Sequence, residues 1–215
     1  MTADDLGRES FDKVRRRLDR VAIEHPELQS RIDELQETVD TYADLHRERS
    51  LASNRVGMIA GREFARSQGV PEADLHGGVH DRPKSGELDV WGVARDGHGH
   101  VTKLVVVEAK GGSAGIDGRE RMQQGSGPYL ERVMQLDKTF QVFLHEHPDL
   151  AAGIRSGTIR VEYYLVSQPH AARGSTVVLP AKVSEFRFHY RDGDQDFGND
   201  PNVFDPRNIG PGTPP

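Results

Sequence analysis

Two strand-like runs on either side of "RDGHGH" constrain this chain most. Residues 87–95 and 101–110 both read as strands, and the Asp-Gly between them has the chemistry of a β-hairpin turn. The second run, "VTKLVVVEAKGG", is apolar at 104–107 and then turns polar at Glu108 and Lys110. Side chains two apart on a strand share a face. Glu108 and Lys110 therefore point together, with Ala109 opposite. If Asp89 on the neighbouring strand faces the same way, two carboxylates and one ammonium meet at one place. Glu87 competes for that place from two residues earlier, and Asp89, further into the strand, is preferred. Such an oxygen-rich site suits a hard divalent cation, Mg²⁺ or Mn²⁺, which uses few carboxylates and keeps several waters. A lysine beside it can orient water or neutralise charge developing on a phosphate. The chemistry indicated is metal-assisted phosphodiester hydrolysis.

Around this centre the pattern alternates. Phe11, Val14, Leu18 and Val21 recur at threes and fours and predict a helix over 8–24. Pro26 breaks it. Leu28, Ile32, Leu35, Val39, Tyr42 and Leu45 then form a narrow apolar stripe, as in a helical hairpin or short coiled coil. The stripe predicts two helices packed on each other or on the domain, with self-association through these helices as a further reading. A third helix is expected over 51–68, where Ala52, Gly57, Ala60 and Gly61 would allow close packing on a sheet. Residues 69–86 read as a loop. A helix follows over 128–147, with Pro128 at its first position, and a short one over 148–155. Further strands are expected at 158–168, at "TVVLP" and at "VSEFRFHY". The Asp-, Gly- and Pro-rich segment 191–215 reads as a tail without regular structure. The expectation is a helical extension (1–50), a small α/β domain with a mixed sheet flanked by helices (51–190), and an irregular acidic tail (191–215).

Composition narrows the classes. With no cysteine among 215 residues, disulfide scaffolds and thiolate zinc sites are excluded. No apolar run is long enough to span a bilayer, and the polar start "MTADDLGRES" does not read as a secretory signal, so a soluble protein is expected. The net charge of −6 sits at the ends. Residues 1–50 carry 9 Lys/Arg against 13 Asp/Glu, and residues 191–215 carry 2 against 5. The middle is nearly neutral, with 17 against 16, and charge neither supports nor forbids a nucleic-acid substrate.

The segments "ELDV" and "VVVEAKGG" resemble the PD-(D/E)XK nuclease superfamily, with its restriction-endonuclease-like fold. The longer stretch "VVVEAKGGSAGIDGRERMQQGSGPYL" resembles the toxin domains of that superfamily found in bacterial polymorphic toxins, including Rhs-type and contact-dependent inhibition proteins. In those domains the Glu-x-Lys-Gly-Gly strand is followed by an arginine, a Gln-Gly-Thr-like turn and a tyrosine. Here these positions are Arg119, then Gln124, Gly125 and Ser126, then Tyr129. An upstream helical glutamate is matched by Glu63. Leu88 stands where the superfamily name has proline, and Ser126 where threonine is usual. The resemblance covers about residues 50–165. It implies Asp89 and Glu108 as ligands of Mg²⁺ or Mn²⁺, Lys110 as the catalytic lysine, and Glu63 and Gln124 as supporting residues. It also implies DNA or tRNA as substrate, a cognate immunity protein as partner, and action in the cytoplasm, reached in a target cell by a non-classical delivery route. Such domains normally end a longer delivery protein, so the chain reads as a freestanding module or a fragment.

Plainer readings stand beside these. Glu63 also fits a solvated helix face, Gln124 a helix cap, Arg119 an ordinary loop position or a phosphate contact, and Tyr129 helix packing. The His98/His100 and His145/His147 pairs read mainly as exposed turn and helix-end residues rather than zinc ligands. "HGGVH" at 76–80 is a weaker candidate for a general base. Two other functions remain open: a non-catalytic module binding nucleic acid or protein, and a house-keeping repair or restriction nuclease.

Overall fold

A computed structural model describes residues 8–78, 86–112, 123–171, 179–191, 200–210 and 212. The apolar run 104–107 lies in the central strand of a five-stranded mixed sheet. The strands are β1 (Leu75–His76), β2 (Val90–Arg95), β3 (Val101–Gly111), β4 (Arg160–Gln168) and β5 (Lys182–Phe186), hydrogen-bonded in that order. β2 and β3 form the expected antiparallel hairpin, with Val90 opposite Val107. Its turn is held by Asp96, whose Oδ1 accepts the backbone N–H groups of His98 (2.8 Å) and His100 (2.9 Å). β4 runs parallel to β3, and β1 and β5 are antiparallel to their neighbours. The chain divides into two units, Met1–Ala52 and Ser53–Pro215.

In the first unit, α1 (Arg8–Glu24) ends before Pro26 and is followed by the start of α2 (Gln29–Ser67). The two run antiparallel. Phe11 meets His46 (centroids 6.0 Å apart), Arg15 Nε donates to Asp40 Oδ1 (2.7 Å), and Gln36 Nε2 donates to Asp19 Oδ1 (2.7 Å). Phe11 and Ile32 are buried. Most of the expected stripe is not buried, however, and Leu28 at its start is exposed. Leu35, Tyr42 and Leu45 are about half exposed, because the ridge containing Ile32, Val39 and His46 is the one turned inward. Nor is there a break between the second and third expected helices. "HRERSLASNR" contains no glycine or proline to end a helix, so α2 continues from Gln29 to Ser67. Among the described residues, no helix is long and apolar enough to cross a membrane.

In the second unit, helices cover both faces of the sheet, which makes the domain mixed α/β. The end of α2 lies on one face, where Met58 and Ala65 join Val90, Val105, Val107 and Val166. Gly57 and Gly61 allow the close approach expected of them. A Cβ on Gly61 would sit 3.2 Å from Ala109 Cβ, and one on Gly57 would sit 2.7 Å from Gly111 N and Lys110 C. The other face packs against α3 (Gly127–Leu136), α4 (Lys138–Glu146) and α5 (Pro148–Arg155), which make the β3-to-β4 crossover. Trp91, Leu104, Val106 and Tyr163 meet Leu130, Met134, Phe140, Leu144 and Ile154 there. A strand covered on both faces explains an unbroken apolar run.

Four further expectations need correction. Within 69–86, read as a loop, Leu75–His76 forms β1, the edge strand of the sheet. The helix expected over 128–147 is divided at Asp137, whose extended backbone (φ −68°, ψ 105°) begins α4 and whose Oδ1 accepts Phe140 N–H at 2.9 Å. "VSEFRFHY" forms two strands, β5 and then β6 (His189–Tyr190), while most of "TVVLP" lies outside the described residues. The segment after 191 is not wholly irregular. β7 (Val203–Phe204) pairs in parallel with β6, a 3-10 turn spans Pro206–Asn208, and Phe204 and Ile209 are fully buried in the core. Glu131 on α3 fastens this segment, accepting Asp205 N–H (2.6 Å) and Asn208 Nδ2 (2.8 Å). Two apolar residues five apart in a polar tract carry no periodicity that a sequence pattern can register.

Gly57→Ala is expected to destabilise the protein by about 1–3 kcal/mol, because the added methyl strikes backbone. In an exposed helix the same change stabilises by up to about 1 kcal/mol. A fall in the urea midpoint at constant slope checks this. Phe204→Ala is expected to cost about 3–5 kcal/mol in the same measurement, whereas a mutation in an unstructured tail would leave the midpoint unchanged.

Candidate active site

Asp89, Glu108 and Lys110 lie at one end of the β2–β3 pair. The alternation that turns Trp91 and Val93 toward α3–α5 turns Asp89 the same way, and Leu104 and Val106 set the same direction for Glu108 and Lys110. Lys110 Nζ donates to Glu108 Oε1 at 2.8 Å, and both side chains are largely buried. Asp89 Oδ2 accepts the N–H of Ala109, across the hairpin, at 2.8 Å. Glu87 is exposed, so Asp89 is the carboxylate that joins Glu108.

The turn before α3 closes over this group. Gln124 Nε2 donates to Glu108 Oε1 (2.7 Å) and approaches Tyr129 Oη at 3.4 Å. Gln124 is therefore turned to the site, and the cap of α3 is Ser126, whose Oγ accepts Tyr129 N–H (3.3 Å). Gly125 makes this turn possible. Its φ of +95° favours glycine, and a Cβ there would lie 2.2 Å from the Phe186 ring. Tyr129 is half-buried beside the site. Burial, then the Glu108 carboxylate, raises its phenol above the ordinary value.

Glu63 is not brought to the site. It lies on α2, on the opposite face of the sheet from Glu108, exposed and paired with Arg66 at 2.7 Å. Gly61 is the residue facing β3, and a residue two further on points about 200° away around the helix. Arg119 lies outside the described residues. His76 stacks on Trp91 (3.8 Å), and His80 lies outside the described residues. His100 and His145 are exposed.

Two contributors were not anticipated. The Tyr163 hydroxyl, from β4, donates to Glu108 Oε2 at 3.1 Å. "VEYYLV" places two tyrosines in succession, and only the register of β4 decides that Tyr163 faces the site while Tyr164 turns to Glu162 (2.8 Å). Asp137 Oδ2 accepts the N–H of Leu88 (2.8 Å), fixing the chain immediately before Asp89. An aspartate followed by a helical run is an N-cap signal, masked here by a continuous apolar stripe.

Burial, then the nearby Glu108 carboxylate, pushes the Asp89 carboxyl up to about 8. Two carboxylates thus crowd one small space, and the Lys110 ammonium relieves that only in part. Among the described residues no group of three His, Asp or Glu side chains converges. A Mg²⁺ site commonly takes one or two carboxylates and completes its shell with water. Asp89 and Glu108 fit that requirement and are the residues that would hold the ion. Comparison of the chain with family models, with curated proteins and with solved structures finds no match.

A carboxyl whose pKa rises on folding holds its proton more tightly in the folded chain. The metal-free protein should therefore lose stability as pH climbs from about 3.8 to about 8. Asp89→Asn removes this titration and keeps an oxygen for Ala109 N–H. In chelator at pH 9 the variant is expected to be more stable than wild type by about 2 kcal/mol or more, with the difference vanishing near pH 4. Urea unfolding at both pH values measures it.

Proposed function

We propose that this chain is a metal-dependent nuclease with a restriction-endonuclease-like core, hydrolysing phosphodiester bonds of DNA or tRNA. The observation that carries the reading is the convergence of Asp89, Glu108, Lys110 and Gln124 at one end of a buried strand pair. The mixed sheet with helices on both faces accords with that fold. The resemblance of "VVVEAKGG" and of the Gln-Gly-Ser turn to polymorphic-toxin nucleases supports a role as a bacterial antagonistic toxin domain. That role brings a cognate immunity protein as its partner.

Each residue has a distinct task in this reading. Asp89 and Glu108 would hold the cation, Asp89 fixed just before β2 by its bond to Ala109 N–H and Glu108 held within β3. A bound Mg²⁺ or Mn²⁺ would supply Lewis-acid polarisation of the phosphate and a more acidic water. Lys110, directed at the Glu108 carboxylate, would neutralise charge that builds on the phosphate oxygens as water attacks phosphorus. Gln124 braces Glu108 from above and, with Tyr129, forms the wall on the α3 side. The P–O bond to the leaving group then breaks, and the departing oxygen takes a proton from solvent or a nearby acid.

The test is direct. Purified chain is incubated with plasmid DNA and with total tRNA, in Mg²⁺, in Mn²⁺ and in chelator. Cleavage of one substrate is expected with metal only. Lys110→Ala should slow it by about 10²–10³-fold, while circular dichroism stays unchanged. Cleavage that persists in chelator, or that survives Lys110→Ala intact, would remove the mechanism.

A further inference from the structure

Glu108 receives hydrogen bonds from three directions. Lys110 and Gln124 occupy Oε1, at 2.8 and 2.7 Å, and Tyr163 occupies Oε2 at 3.1 Å. Two of these donors belong to the site by sequence pattern. The third comes from a different strand, 55 residues along the chain, and reaches Glu108 from within the core. Tyr163 is 1% exposed. Its ring packs against Phe186 (centroids 4.8 Å apart) and Phe188 (6.1 Å), and its Cα partner on β3 is Val106.

A phenylalanine would satisfy every one of these ring contacts. A buried phenol needs a hydrogen-bond partner, so an unmet hydroxyl there would cost stability. This hydroxyl is met by the carboxylate that the nuclease reading makes a cation ligand. The parallel register sets the arrangement, since Glu108 pairs with Leu165 and Tyr163 lies two residues earlier on the same face. The locked aromatic ring then carries its hydroxyl along the strand to Oε2.

We infer that Tyr163 is a positioning residue for Glu108: its hydroxyl fixes the rotation of the carboxylate so that the group is presented to the cation in one orientation. The inference rests on the nuclease reading of the same site. Outer hydrogen-bond partners of a metal ligand typically contribute about 10–100-fold in affinity or activity. Tyr163 is placed to do so without touching substrate.

The test uses Tyr163→Phe in the full chain, with Mn²⁺ affinity from calorimetry, kcat and KM on the cleaved substrate, and melting temperature. Expected are Mn²⁺ binding weakened about tenfold or more and kcat lowered about 10–100-fold, with KM within about twofold. Phe188→Leu serves as a second variant, since it loosens the ring packing on Tyr163 and keeps the hydroxyl. It should lower the melting temperature and leave Mn²⁺ affinity near wild type. Wild-type Mn²⁺ affinity and kcat in Tyr163→Phe would overturn the inference and leave the nuclease reading standing. So would equal losses of Mn²⁺ affinity in both variants in proportion to their melting temperatures, which would make Tyr163 a packing residue. Binding of Mn²⁺ by wild type without cleavage would overturn the catalytic reading, and the affinities would still decide the role of Tyr163. A wild type that neither binds nor cuts would overturn both.

Discussion

The hydrogen-bonded carboxylate of Glu108 organises this domain. It closes a strand that is apolar on both faces, and it gathers a lysine from its own strand, a glutamine from the turn before α3 and a tyrosine from β4. A carboxylate so little exposed is tolerated only when its oxygens are met. Gln124 and Tyr163 therefore each tie a separate element to the end of β3. The site and the junction of the sheet with α3 are the same piece of structure.

The surrounding elements hold that junction in place. Asp137 interrupts what would otherwise be one long helix, and with its two oxygens it begins α4 and grips the backbone at Leu88. The segment after 200 crosses α3, bonds to Glu131 and inserts Phe204 and Ile209 into the core. On the opposite face, Gly57 and Gly61 bring α2 into direct contact with the backbone of β3 next to Lys110. Close packing on both sides gives the strand end little room to shift. The crowding of Asp89 against Glu108 is relieved when Asp89 keeps its proton, as its rise to about 8 indicates.

Much of the fold was legible in local pattern. Helix α1, the β2–β3 hairpin, the small residues of α2 and strand β4 follow from periodicity, turn chemistry and punctuation. Asp89, Glu108, Lys110 and Gln124 could be singled out from strand parity and the motif around "EAKGG". Other features were hidden for definite reasons. The unbroken α2 needed the absence of a stop signal to be weighed above a change in stripe. The exposed Leu35, Tyr42 and Leu45 show that a stripe can be helical without being the face that packs. Glu63 was placed by motif alone, and helical rotation sends it to the far side of the sheet.

The order of residues by itself determined α1, the β2–β3 hairpin and β4, because those preferences arise between neighbours a few positions apart. It also determined that Glu108 and Lys110 share a face, since strand parity is a local rule. Only the tertiary structure decided that Tyr163 rather than Tyr164 meets Glu108, that Asp137 holds the chain before Asp89, and that the last segment belongs to the core. Those contacts join residues tens of positions apart. They depend on strand register and helix docking, which are settled by how whole surfaces fit together.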